Sequence, residues 1–270
     1  MRTVERLKRR FVNRVQRFLS ESLHRREVAL RLSVPLVSFT FDDFPSTALN
    51  VGGTILERYS ARGTYYAALG LMNQDSPVGR IFSGAELGEV VARGHELGCH
   101  TYAHCHSWNT APAVFEASIL ENQQALVRLL PGVEFQTMSY PLCGPRPQTK
   151  RRTGTHFRCC RGGGQVFNNG RADLNNLRAV FLEQCRDRFE TVKELIDQSC
   201  RANGWLVFAT HDLAAQPSRF GCSPEFFERV VRYVSESGAR VLPVAEACHL
   251  VEATAALPAG TVSDVVAKPV

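Results

Sequence analysis

Two rhythms of apolar residues alternate along this chain of 270 residues. From Pro35 onward, short runs that are apolar on both sides predict strands over 36–41, 64–69, 96–101, 137–141, 157–160, 177–182, 205–211 and 240–242. Between them, apolar positions return every three or four residues and predict helices over 48–61, 83–93, 112–130, 188–203, 223–237 and 243–251. Strands apolar on both faces belong in a parallel sheet covered by helices. Strand and helix in alternation give such a sheet, open or closed into a barrel. Ahead of it, Val4, Leu7, Phe11, Val15, Phe18 and Leu23 recur at spacings of three to five among Arg and Lys. That predicts one amphipathic helix over 3–30, stopped by Pro35. The end, rich in Ala, Pro, Gly, Val and Thr, has no period and reads as a loosely ordered tail. The chain thus divides into 1–33, a basic amphipathic helix; 34–252, the α/β body; and 253–270, the tail.

Composition fits a folded protein, with 44% hydrophobic and 21% charged residues. The length suits a single α/β barrel. The longest stretch free of Asp, Glu, Lys and Arg, 97–115, holds three histidines and is no membrane span. The net charge of +6 is unevenly placed: residues 1–31 carry ten Lys/Arg against three Glu, and the remainder 22 basic against 23 acidic. A near-neutral body lacks the basic groove of a nucleic-acid binder, so no nucleic-acid partner is expected. The opening MRTVERLKRRFVNR has no apolar core of a secretory signal. Nine cysteines, an odd number without any Cys-x-x-Cys, read as reduced thiols. Both features lead to the expectation of a cytoplasmic protein. The basic helix has two readings: packing onto the body, or peripheral contact of residues 3–30 with an anionic membrane, at the inner surface.

Candidate chemistry sits where predicted strands end. Asp42 and Asp43 follow the first; adjacent carboxylates raise each other's pKa unless a cation or a division of labour resolves the conflict. His100 and His104 follow the third strand at i, i+4, a spacing that puts two imidazoles on one side of a helical turn, suited to one divalent metal. His95 looks like a turn residue, and His106 competes with His104. His211 and Asp212 end the wholly apolar run Trp205–Ala209. Catalytic groups of parallel barrels lie at the C-terminal ends of strands, so all three clusters would share one face.

These residues resemble the motifs of the polysaccharide deacetylase family, the carbohydrate esterases with a NodB-type domain, over roughly Pro35 to Ala247. Thr40-Phe41-Asp42-Asp43 resembles the first motif, and the stretch from Gly94 to His104 the second. Ser139-Tyr140-Pro141-Leu142-Cys143-Gly144 resembles a weaker third motif, and Phe208-Ala209-Thr210-His211 the fifth. The resemblance implies a distorted (β/α) barrel of about seven parallel strands and metal-dependent removal of N-acetyl groups from an N-acetylhexosamine-containing saccharide. It implies Asp43, His100 and His104 as metal ligands, Asp42 as general base and His211 as general acid. Zinc is the first choice of ion, with cobalt, nickel or iron also compatible. A backbone N–H near Cys143 would help to hold the oxyanion. The family's third motif carries an Arg that braces the catalytic Asp, a place read here as Tyr140. Arg146 and Arg178 are candidate replacements, with Arg178 favoured. The fourth motif is not recognisable, and Asp173 is its stand-in. Two other readings remain open from the sequence: a metal-dependent amidase on a non-sugar amide, and a non-catalytic barrel binding glycans or partners.

Overall fold

The computed structural model describes residues 18–142, 144–186 and 188–257. Besides a small hairpin of Asp75–Ser76 and Gly79–Arg80, its strands are β1 (Glu27–Ala29), β2 (Leu36–Phe41), β3 (Thr64–Ala67), β4 (Glu96–Cys99), β5 (Thr137–Ser139), β6 (Cys159–Arg161), β7 (Arg171–Asp173), β8 (Val180–Phe181), β9 (Trp205–Thr210) and β10 (Arg240–Val241). The longer helices are α1 (Thr54–Arg58, preceded by a π-helical turn), α2 (Gly84–Ala92), α3 (Pro112–Leu129), α4 (Pro147–Thr153), α5 (Phe189–Arg201), α6 (Pro224–Glu236) and α7 (Val244–Ala255). Seven parallel strands run in the order β8-β9-β2-β3-β4-β5-β6, and β10 pairs with the start of β2. A parallel bridge between Arg161 and Leu177 draws the far edge back towards β8, so the sheet curls into the expected distorted barrel.

Every residue of β2, β3 and β9 is buried. Alternation then divides β2 and β9 between two cores. Val37, Phe39 and Phe41 of β2 with Leu206 and Phe208 of β9 join the larger core. Leu36, Trp205, Val207 and Ala209 join a second core with α7. Helices start where the chemistry allows: Ser83 and Glu86 form a reciprocal capping box on α2, and Ser223 caps α6 ahead of Pro224. No helix among the described residues is long and apolar enough to cross a membrane.

Several predicted strands leave the ladder one or two residues early, β3 at Ala67, β4 at Cys99, β9 at Thr210. There the backbone turns to present side chains at the barrel's C-terminal face. The helix expected over 3–30 is corrected where it can be compared. Residues 18–22 are helical, but β1 at 27–29 pairs antiparallel with β7, and residues 1–17 lie outside the described residues. The strand wins because Arg26 is tied down: its N–H bonds Asp173 at 3.0 Å and its guanidinium reaches the carbonyls of Gly154, Phe157 and Arg158. Of the expected tail, 253–255 still belong to α7, and 258–270 lie outside the described residues.

Candidate active site

Five strand ends build one polar cluster. Asp42 continues β2 by one residue, its N–H bonding the Thr210 carbonyl of β9 at 2.9 Å. The next two residues reverse into left-handed backbone, with φ 58° at Asp43 and 49° at Phe44. This reversal gives the two carboxylates separate surroundings. Thr101 and His104 also have positive φ, 57° and 48°, and Leu142 has 58°. Such backbone costs about 1–3 kcal/mol per residue and gathers at functional sites. The His100–His104 pair is therefore assembled by a strained turn, not by the helical turn expected from its spacing.

Among the described residues, one group of metal-capable side chains converges. The ligand atoms of Asp43, His100 and His104 all lie within 4.8 Å of one another. Asp43 Oδ1 is 3.0 Å from His104 Nε2 and 3.4 Å from His100 Nε2. It is buried, yet receives no well-aligned hydrogen bond. Burial pushes the Asp43 carboxyl up, but the two imidazoles outweigh it and hold the group well below the usual carboxylate range. Burial lowers His104, and Asp43 overrides it to a net rise. His100 Nδ1 lies 2.9 Å from the Ser139 carbonyl, which can only accept, so Nδ1 carries the proton and the Nε2 lone pair is left for a cation. One carboxylate and two such imidazoles fit a zinc-like divalent ion with open positions.

Asp42 is buried beside this centre. Ser139 Oγ donates to it at 3.0 Å and Arg161 Nη2 donates to the same oxygen. Burial raises its pKa, but Arg161 first, then His100 and His211, pull it below the ordinary value. Arg161 is itself buried and donates to the Gly162 carbonyl at 2.9 Å. Its guanidinium lies 5.3 Å from the Tyr66 ring and 5.4 Å from the Phe181 ring. Tyr66 fits there because Gly98 has no side chain; a Cβ would sit 2.4 Å from the ring.

On the other flank, His211 Nδ1 lies 3.2 Å from the Phe220 carbonyl and donates to it, which leaves Nε2 for substrate. The 212–222 loop that supplies this carbonyl is closed by Asp212, which accepts from Ser218 N–H at 2.7 Å and Oγ at 2.5 Å. Arg186 fastens it from outside through the carbonyls of Ser218 and Gly221.

Asp42, Asp43, His100, His104 and His211 are thus brought together. The other expected residues that are described are not. Arg161, not Arg178, reaches Asp42; Arg178 is half-exposed and 3.6 Å from Glu21. Arg146 lies 6.0 Å from the Trp108 ring. Tyr140 points away from Ser139 into the core, its hydroxyl donating to the Asn175 carbonyl at 3.0 Å. Cys143 lies outside the described residues. Asp173 pairs with buried Lys150 at 2.6 Å, and the partner of His211 Nδ1 is a backbone carbonyl instead. His106 accepts the Trp108 N–H at 3.3 Å within its own turn. His95 accepts the Gly63 N–H at 3.1 Å, a turn role as expected.

Sequence reading placed Ser139 in a motif without giving it a role, and missed Arg161 and Glu183. Burial raises Glu183 to about 7, helped by the charge of Asp42, while Arg161 and Arg186 pull the other way. No motif marks it.

Because Arg161 and Asp42 are both buried, removing one partner strands the other. Arg161→Met is expected to destabilise the fold by about 3–5 kcal/mol at neutral pH. The sign with pH follows from Asp42. Its folded pKa is depressed, so its stabilising share is present above the unfolded carboxylate value of about 3.9 and is lost as pH falls through the folded value. In the variant Asp42 can be protonated instead, so the gap from the native protein should narrow below about pH 4. Urea unfolding at pH 7 and pH 3.5 checks both statements.

Residues 30–153 match the family model described as polysaccharide deacetylase. No curated protein matches the chain. Among solved structures, the chain is similar to the chitin deacetylase of Colletotrichum lindemuthianum at 18% identity and TM-score 0.56, over 81% of this chain and 89% of that one. It is similar to an acetyl xylan esterase of carbohydrate esterase family 4 from Clostridium thermocellum, solved with cobalt, at 18% and 0.53, over 80% and 91%. A family 4 carbohydrate esterase from Streptomyces lividans, solved with acetate, gives 14% and 0.53, over 78% and 92%. At such identities the likeness is one of fold.

Proposed function

From a chain whose residues 30–153 carry the polysaccharide deacetylase match, we propose a metal-dependent hydrolase that removes N-acetyl groups from an N-acetylhexosamine-containing saccharide. The observation that carries this reading is the convergence of Asp43, His100 and His104 within 4.8 Å, beside a separately braced carboxylate. Asp43, His100 and His104 hold the ion, zinc by first choice; when bound, it supplies Lewis acidity towards the acetyl carbonyl and the attacking water. Asp42 stays ionised at neutral pH and takes the water's proton, while Ser139 and Arg161 fix its orientation. His211, its Nδ1 pinned by Phe220, presents Nε2 to protonate the departing amine. Support for sugar as the substrate class comes from the family match and the activities named for the fold relatives. The test is acetate released per free amine formed from N-acetylglucosamine oligomers, with zinc-loaded and chelator-treated protein. Equal release of both products only with metal is expected. Release from simple non-sugar amides alone would transfer the reading to an amidase.

We further propose that the protein works in the cytoplasm, against the inner face of an anionic membrane. Residues 1–17 hold seven Lys/Arg and one Glu. They precede Phe18 in the chain, a residue that is 68% exposed. Each basic residue near such a surface contributes about 1 kcal/mol, screened over about 8–10 Å. The full chain should sediment with phosphatidylserine vesicles at low salt and release at high salt. A chain shortened to begin at Phe18 should stay in solution. If the full chain stays in solution as well, the membrane reading fails.

A further inference from the structure

The large apolar side chains that reach solvent among the described residues fall into two groups. Val91 on α2 and Val114, Leu120, Val127 and Leu129 on α3 lie along the side of the barrel. The other group is Phe18, Leu23, Leu142 and Val166, between 43% and 68% exposed. Its members come from three stretches of chain that meet at the catalytic face. Leu142 and Val166 lie in the loops just past β5 and β6, the strands that bring Ser139 and Arg161 to Asp42. Leu142 keeps its exposed place on left-handed backbone, φ 58°, which is uncommon for a bulky residue. Phe18 and Leu23 flank a helical turn tied to the first of these loops. Ser20 Oγ donates to the Pro145 carbonyl at 2.6 Å, and buried Lys150 donates to the Ser20 carbonyl at 2.7 Å. Two clefts of about 320 and 430 Å³ open side by side there, the first touching Leu142, the second Val166. Glu21 of the turn, Gly164 and Arg178 belong to both clefts, so the four apolar side chains stand around one opening.

Charge separates the two groups. The apolar residues of α3 sit among Glu116, Glu121 and one arginine, Arg128, which suits no anionic surface. Around the opening, Arg25, Arg171 and Arg178 face only Glu21 and Glu27, since Asp173 is spent on Lys150. Immediately ahead of Phe18, residues 1–17 add seven Lys/Arg against one Glu. Apolar side chains ringed by cations match an anionic bilayer. We infer that the mouth of the barrel is the face that seats on the membrane. Phe18, Leu23, Leu142 and Val166 enter between the headgroups, and the arginines with residues 1–17 meet their negative charge. The inference rests on the membrane reading above and adds to it which side of the protein is turned down. Basic charge and a shallow apolar contact are each marginal alone, and stable peripheral attachment takes two such signals. The catalytic cluster is thereby turned towards the headgroups.

The chain has two tryptophans, and they mark opposite ends of the barrel. Trp108 lines the cleft that Leu142 borders, its Nε1–H on the Gly144 carbonyl at 2.9 Å. Trp205 opens β9, whose other end delivers His211, and is wholly buried. Six strand residues at about 3.3 Å each put it roughly 20 Å from the catalytic face. Full-length, zinc-loaded protein is bound at low salt to phosphatidylserine vesicles containing phosphatidylcholine brominated high on its acyl chains. Tryptophan emission should be quenched, and the quenching should vanish in Trp108→Phe. Phe18→Asp with Val166→Asp should weaken vesicle binding at least about ten-fold, a modest part of the transfer value of two apolar side chains. That variant should release acetate from soluble N-acetylglucosamine oligomers at the native rate. Leu120→Asp with Val127→Asp on α3 should bind vesicles as the native protein does. Vesicle-bound protein without quenching, or a Phe18/Val166 variant that binds as tightly as native, overturns the mouth as the docking face and leaves attachment through residues 1–17 standing. Weakened binding in the α3 variant alone moves the contact to the barrel's side and overturns it too. A full chain that does not sediment with the vesicles removes the membrane reading and this inference together.

Discussion

Removing the His104 imidazole is expected to empty the metal centre. The His104→Ala protein should lose bound zinc on desalting, and its hydrolytic activity with it, while His106→Ala keeps both. The two histidines are separated by geometry. His104 Nε2 sits 3.0 Å from Asp43, in a ring pair 5.0 Å centre to centre with His100. His106 spends its Nδ1 on the Trp108 N–H. With one carboxylate and one imidazole left, the ion has only two protein ligands, below the three of catalytic zinc sites. A readout independent of activity is thermal unfolding. An ion that binds the native state stabilises it by about 2.7 kcal/mol at one hundred times its Kd. The native and His106→Ala proteins should therefore melt higher with added zinc, and His104→Ala should not respond. Full zinc occupancy in His104→Ala would remove His104 from the ligand set.

The parts of the site that could be read from the sequence are those fixed by strand ends. Asp42, Asp43 and His211 follow β2 and β9 directly, and the wholly apolar character of these strands is visible as composition. The His100–His104 pairing was legible but its geometry was not. Spacing cannot distinguish a helical turn from the left-handed residues at Thr101 and His104. The bracing arginine depended on long-range register. Arg161 reaches Asp42 across 119 residues because β6 lies beside β5, and no local pattern ranks it above Arg178. Parity explains Tyr140. Successive strand residues face opposite sides, so Tyr140 turns into the core while its neighbour Ser139 touches both Asp42 and His100. The short helix α4 escaped because a seven-residue polar segment has no apolar period, though Pro147 marks its first turn. The strand β1 was hidden under a helical pattern that tertiary contacts of Arg26 override.

The two proton-transfer roles predict losses of different kinds. Asp42→Asn and His211→Ala should each lower turnover of an N-acetylated sugar by about 10²–10⁴-fold, the usual worth of a positioned base or acid, with zinc retained. The substrates separate them. An amine leaves poorly unless protonated, whereas a nitrophenolate leaves without a proton. His211→Ala should therefore act far less severely on 4-nitrophenyl acetate than on the amide, while Asp42→Asn impairs both, because each needs an activated water. The pH profile adds a second constraint. Arg161 and the neighbouring histidines outweigh burial and hold Asp42 below the ordinary carboxylate value, so the base stays ionised through the range where free carboxylates do. An acid limb of kcat well above that value must belong to another group, and Glu183, raised to about 7, is the first to test by Glu183→Gln. Asp42→Asn also leaves buried Arg161 without its counter-charge, so folding is checked by unfolding curves alongside turnover. Near-native amide turnover in a folded, zinc-loaded Asp42→Asn protein would place the base elsewhere. Equal losses on amide and aryl ester in His211→Ala would deny His211 the role of acid.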